Sequence, residues 1–157
     1  MFSYIESTRR ETVDLLAITV QAGKLFLPMT RLVYVALALA TIVLGLSVHL
    51  YGGALGPTLR DVLGDVIWGA MIAWWVGAIA PGSSLPVRII VATTICFAVE
   101  LSQLLHTPEL DSLRRTTVGQ LTLGSGFDVR DLLAYTFGVF AAALIERTVL
   151  RSYFGPK

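Results

Sequence analysis

The chain has 157 residues, one domain's worth, of which 55% are hydrophobic and only 15% charged, and its mean hydropathy of +0.73 is that of a membrane protein. The 12 Lys and Arg are matched by 11 Asp and Glu, giving a net charge of +1 with no basic block, which sets nucleic acid aside as a partner. A lone cysteine, Cys96, inside an apolar segment excludes a disulfide framework and a thiolate metal cluster and reads as a small buried hydrophobe.

Residues 1–30 carry Glu6, Arg9, Arg10, Glu11, Asp14 and Lys24, which break the apolar core that a cleavable signal peptide needs. The first apolar span is therefore expected to stay in the membrane as an uncleaved anchor. Within residues 13–27 the chain is apolar but short, and it holds Asp14, Gly23 and Lys24. It reads as an interfacial or juxtamembrane helix, with a fifth crossing as the alternative.

A membrane span needs about 20 mostly apolar residues to cover about 30 Å of hydrocarbon. Four segments satisfy this. Residues 32–51 are stopped by Gly52 and Gly53; residues 62–80, "VLGDVIWGAMIAWWVGAIA", are ended by Pro81 and Gly82. Residues 87–106 end where Pro108 biases Thr107 away from helix, and residues 128–150 carry "LLAYTFGVFAAALI". The expected fold is all-α, a polytopic membrane bundle of four transmembrane helices with a short N-terminal interfacial helix. Its parts are an N-terminal segment over 1–31, the transmembrane domain over 32–150 and a tail over 151–157.

Helix ends carry their own signals. Thr58 with Asp61 fits a capping box, Thr107-Pro108-Glu109 starts a short helix, and Asp128 caps the fourth span with Asp131 at its third position. The glycines of "LGSGFD", Gly124 and Gly126, supply a turn and no dinucleotide fingerprint, since no strand precedes them. Four spans put both termini on one side, with Arg9, Arg10, Lys24, Arg31, Arg88, Arg147, Arg151 and Lys157, against Arg60, Arg114, Arg115 and Arg130 on the other. That excess makes the terminal side cytoplasmic.

The second span begins, the third ends and the fourth begins on the same side, so Asp65, Glu100, Gln103, His106 and Asp131 are expected at similar depth. Asp61, Asp65 and Trp68 share a helical face, as do Glu100, Gln103 and His106, and as do Asp128, Asp131, Tyr135 and Gly138. Glu100 is expected about 9 Å inside the end of its helix, below the interface, where a carboxylate faces protein or water and not lipid. The same side offers cations: Arg114 and Arg115 in the covering connection, Arg60 and Arg130 at the helix starts. A guanidinium fork at Arg114 either neutralises Glu100 and Asp131 or completes a site for an anionic ligand.

Plainer readings stand beside this one. Intramembrane ion pairs and glutamine hydrogen bonds also serve to fix helix packing, Asp61 and Asp128 read as N-caps, and His106 reads as an interfacial residue. A metal set of Asp65, Glu100, His106 and Asp131 lacks any recognised ligand spacing, so no metal and no cofactor are expected. Trp68, Trp74 and Trp75 suit packing and lipid contact, while Gly69, Ala73 and Gly77 form a small-residue stripe that lets another helix approach.

The run "GDVIWGAMIAWW" followed by "AVELSQLLHTPELDSLRRTTVGQLTLGSGFDVRDLLAYTFG" resembles an uncharacterised family of small bacterial membrane proteins, a domain of unknown function distantly similar to VanZ-like proteins. The resemblance covers roughly residues 32–147 and rests on Gly64, Asp65 and Trp68; Glu100 and Gln103; Leu110, Asp111, Arg114 and Thr116; Leu123, Gly124 and Phe127; and Asp131, Tyr135 and Gly138. It implies a bacterial envelope setting and a role in glycopeptide-antibiotic response, but no reaction.

The sequence therefore predicts a multi-pass protein of the bacterial inner membrane with an extracytoplasmic polar pocket made by Asp65, Trp68, Glu100, Gln103, Asp111, Arg114, Arg115, Asp131 and Tyr135. Membrane lipids are the expected partners, with an anionic headgroup or an envelope lipid intermediate in the pocket, Arg114 and Arg115 on the phosphate, and homo-oligomerisation left open. The rival readings are an enzyme acting on a lipid headgroup through Glu100 or Asp131, a small proton-coupled transporter, and a structural scaffold.

Overall fold

The computed structural model describes residues 29–116, 118–119 and 126–150. The expected interfacial helix at 13–27, the tail from 151, and Leu123 and Gly124 lie outside them. All regular structure among the described residues is helical. Helix α1, Met29–Leu55, closes on a tight 3-10 turn, Gly52–Leu55. Next come α2, Pro57–Ile79, α3, Leu85–Ser102, and the short α4, Pro108–Arg114. Helix α5, Val129–Ile145, runs on into a wider turn, Glu146–Leu150. Four of them, α1, α2, α3 and α5, are long and apolar enough to cross a membrane.

Two boundaries differ from those expected. Helix α2 begins at Pro57, with Gly56 as its N-cap, and not near residue 62. Proline suits the first helical position because the N–H it lacks has no partner there. Thr58 therefore falls inside the helix and no capping box forms; Asp61 instead lies 3.6 Å from Arg60. Helix α3 stops at Ser102, and the chain continues in a tight turn in which Gln103, Leu104 and Leu105 donate to the carbonyls three residues back. The other two caps form where expected. The Thr107 hydroxyl accepts from Leu110 N–H at 3.3 Å, and the Asp128 carboxylate accepts from Arg130 N–H at 2.9 Å.

In lipid the burial of apolar surface drives helix association weakly, so close backbone approach matters more. Helix α5 lies along α2, and α3 packs against both. A Cβ at Gly69 on α2 would sit 2.5 Å from the Tyr135 carbonyl oxygen, and one at Gly138 on α5 would collide with the Val66 carbonyl. The two helices thus touch backbone to backbone in both directions. Gly77, the last member of the small-residue stripe, receives the Tyr34 ring of α1. Around these contacts lie two buried clusters, one of Tyr34, Ala38, Trp74, Ala78 and Ala142, the other of Val76, Ala92, Cys96, Tyr135 and Val139. The helices consequently alternate in direction, bringing the end of α1, the start of α2, the end of α3 and the start of α5 to one end of the bundle.

Candidate functional site

Glu100 is fully buried at that end. A carboxylate withdrawn from water costs several kcal/mol unless its lone pairs are filled, and here they are filled by three donors. Asp128 N–H donates to Oε1 at 2.8 Å, while Gln103 Nε2 at 3.0 Å and the Tyr135 hydroxyl at 3.2 Å donate to Oε2. The partners come from the turn after α3 and from the first half of α5. Glu100 is thus a node that locks the end of one helix to the start of another, and it reaches them without an arginine.

In front of this node a cavity of about 910 Å³ opens between α1, α2 and α5, within the range common for small-ligand sites, about 300–1,000 Å³. Asp65, Trp68, Gln103, Asp131 and Tyr135 line it, joined by Arg60 and Arg130. Glu100 does not; it sits behind Gln103 and Tyr135 and orients them. Asp65 of α2 and Asp131 of α5 bring two acidic side chains to the same cavity wall. Trp68 lies against Tyr135, ring centroids 5.3 Å apart. Arg130 pairs with Asp128 at 2.7 Å, and hydrogen bonds from its side chain and then from its backbone N–H hold the Asp128 carboxyl below the usual carboxylate range.

Three expected members lie elsewhere. Arg114 is buried, but its fork is spent on the open end of α3: Nη1 donates to the Leu105 carbonyl at 2.8 Å and Nη2 to that of Ser102 at 2.7 Å. It caps a helix and does not neutralise Glu100 or Asp131, because the free carbonyls at a helix C-terminus are themselves a partial negative charge. Asp111 supports this arrangement from 3.4 Å on Arg114 and 3.5 Å from His106. Arg115 is exposed and does not line the cavity. His106, off the helix and mostly exposed, does not continue the Glu100–Gln103 face.

The sequence reading missed two things. Helix α1 supplies one wall of the cavity through Thr41, Ile42, Gly45, Leu46, Val48 and His49; its polar residues within an apolar span were the available signal. At the opposite end of the bundle, Arg88 and Glu146 form a buried ion pair, with Arg88 Nη1 also donating to the Tyr34 hydroxyl at 2.7 Å and its guanidinium 5.3 Å from the Tyr34 ring centre. In the sequence Arg88 counts only toward the basic residues of the terminal side, at the start of the third span; in the structure it is buried in the first turn of α3. Opposite charges near the start of one span and the end of another were the sign of it.

Among the described residues no group of three or more His, Cys, Asp or Glu is arranged to hold a metal ion. No solved structure matches the chain. Asp65, Trp68, Gly69, Glu100, Gln103, Asp131, Tyr135 and Gly138 fall within residues 55–139, the stretch matched by the model of one family, and on that match the chain belongs to the family described as "Protein of unknown function (DUF2809)".

Proposed function

We propose that this multi-pass membrane protein binds a lipid, holding the phosphate-bearing headgroup of an anionic membrane lipid or an envelope lipid intermediate in the cavity. The observation that carries this reading is the mixed lining: apolar Ile42, Leu46, Val48, Ile67 and Met71 share the cavity with Asp65, Asp131, Arg60 and Arg130. Such a site suits a molecule that is oily at one end and charged at the other. Arg60 and Arg130 replace Arg114 and Arg115 as the phosphate ligands, since guanidinium groups match phosphate oxygens with two parallel N–H donors. Gln103, Asp65 and Asp131 orient the rest of the headgroup, and Glu100 positions Gln103 and Tyr135. The excess of basic residues on the terminal side supports cytoplasmic termini in a bacterial inner membrane, with the cavity on the extracytoplasmic side.

The scaffold reading has one observation in its favour: Glu100 and Arg114 both spend their charge on helix ends. Native mass spectrometry of the gently purified full chain separates the two. The headgroup reading expects wild type to retain a phospholipid or polyprenyl carrier that Arg60→Ala/Arg130→Ala loses at unchanged melting temperature. If wild type retains no lipid while remaining folded, the scaffold reading takes its place.

A further inference from the structure

Gln103 leaves one acceptor unfilled. It is only 3% exposed, it lines the cavity, and its Nε2 is committed to Glu100. That bond fixes which way the amide points, so the atom left over is Oε1, which is buried and has no hydrogen-bond partner among the described residues. An amide oxygen cannot be satisfied by phosphate oxygens; it needs an N–H or O–H. Asp65 and Asp131 line the same cavity from α2 and α5, two acidic side chains that together favour a positive charge there. Among the described residues neither Arg60, beside Asp61, nor Arg130, paired with Asp128, hydrogen-bonds to Asp65, Asp131 or Gln103, and both stay exposed enough to meet a phosphate. An unfilled amide oxygen beside two acidic side chains suits a compact cation with several donors.

We infer that the headgroup bound in this cavity carries a primary ammonium group, seated between the carboxylates of Asp65 and Asp131 and the amide oxygen of Gln103. The inference rests on the headgroup reading above and narrows it to lipids bearing both a phosphate and an amine. An ammonium has three N–H donors and no acceptor, one donor for each of the three groups that wait for it. The neighbouring Trp68 and Tyr135 rings would attract any ammonium, a quaternary one included. A quaternary headgroup has no N–H to give Gln103, and this distinguishes the two.

The test is a lipid titration of the full chain in detergent, read by native mass spectrometry, using phosphatidylethanolamine, phosphatidylcholine and phosphatidylglycerol with identical acyl chains. Phosphatidylethanolamine is expected to bind about tenfold more tightly than the other two, the factor that one charge-assisted hydrogen bond supplies. Asp65→Asn, nearly the same shape, is expected to bring the ratio of phosphatidylethanolamine to phosphatidylglycerol affinity close to one, and a ratio that stays near tenfold overturns the ammonium site. Gln103→Met, which removes the amide oxygen at similar length, serves as the second variant and is expected to reduce the phosphatidylethanolamine preference; an unchanged preference overturns the Gln103 contact. Equal binding of phosphatidylethanolamine and phosphatidylglycerol overturns the ammonium site and leaves the headgroup reading intact, and a preference for phosphatidylcholine overturns it in favour of an aromatic cage. Failure of all three lipids and of soluble phosphoethanolamine to bind removes the headgroup reading and the inference with it. Soluble phosphoethanolamine is the control for source: if it binds while no lipid does, the ammonium site stands and the lipid is the wrong carrier.

Discussion

At the scale of single residues, Glu100 is the group whose replacement is most informative. Its three donors make the cost of a change depend on what is left unpaired, more than on the charge lost. Glu100→Ala strands a backbone N–H, an amide and a phenol in a dry interior and is expected to lower unfolding free energy by about 3–5 kcal/mol. Glu100→Gln keeps the shape and one acceptor oxygen, and the Tyr135 hydroxyl can turn to accept from the new amide. About 1–2 kcal/mol is expected there, measured by reversible unfolding in mixed micelles. Asp128 adds a pH dependence. Its carboxyl is held low in the folded chain, so the stability it contributes is complete above the unfolded carboxylate value of about pH 4 and is lost as pH falls through the lower folded value. Hydrogen-exchange protection in the first turn of α5, taken relative to the intrinsic rate at each pH, should therefore fall at acid pH in wild type, and Asp128→Asn should show no such titration.

At the scale of elements, apolar length announced the membrane helices, because a single segment in lipid satisfies its backbone within itself only as a helix, and a helix needs about 20 residues to cross. The end of α3 was not legible in the same way. Leu104 and Leu105 continue the apolar run, and the stop is imposed by a guanidinium 9 to 12 residues further on that captures the Leu105 and Ser102 carbonyls. A tertiary capture of that kind leaves no local mark. The polar cavity was half legible: helix direction and spacing brought Asp65, Gln103, Asp131 and Tyr135 together, whereas the wall from α1 depends on how one helix leans, which spacing does not encode. The α2–α5 contact offers a direct check. Gly138→Ala places a methyl against the Val66 carbonyl and the Ala70 nitrogen of α2, backbone atoms that have no rotamer to escape into. A loss of about 1–3 kcal/mol is expected in the same unfolding assay. A comparable change at Gly53, where a Cβ meets open space, should be neutral.

Taken whole, the molecule is tied at both ends by buried charge, and the two ties differ in kind. One is a carboxylate satisfied by neutral donors; the other is the ion pair of Arg88 with Glu146, braced by Tyr34. Breaking that pair from one side by Arg88→Met leaves a bare carboxylate and is expected to cost about 3–5 kcal/mol, while Arg88→Met with Glu146→Leu should recover most of it. A double-mutant cycle on thermal unfolding measures the difference. If the double replacement is as damaging as the single, packing around Arg88 and not its charge holds that end.

The spacing of these partners along the chain also sets an order in time. A ribosome makes Tyr34 54 residues before Arg88 and Glu146 58 residues after it, so the guanidinium can meet the phenol as soon as α3 emerges but must wait for its counter-charge. Glu100 waits as well, for Asp128 28 residues later and Tyr135 35 residues later. Both buried charges of α3 are therefore completed by the same late arrival, α5. A nascent chain stalled before α5 would hold two half-satisfied charges in the bilayer, the kind of flaw by which membrane quality control recognises an unfinished protein.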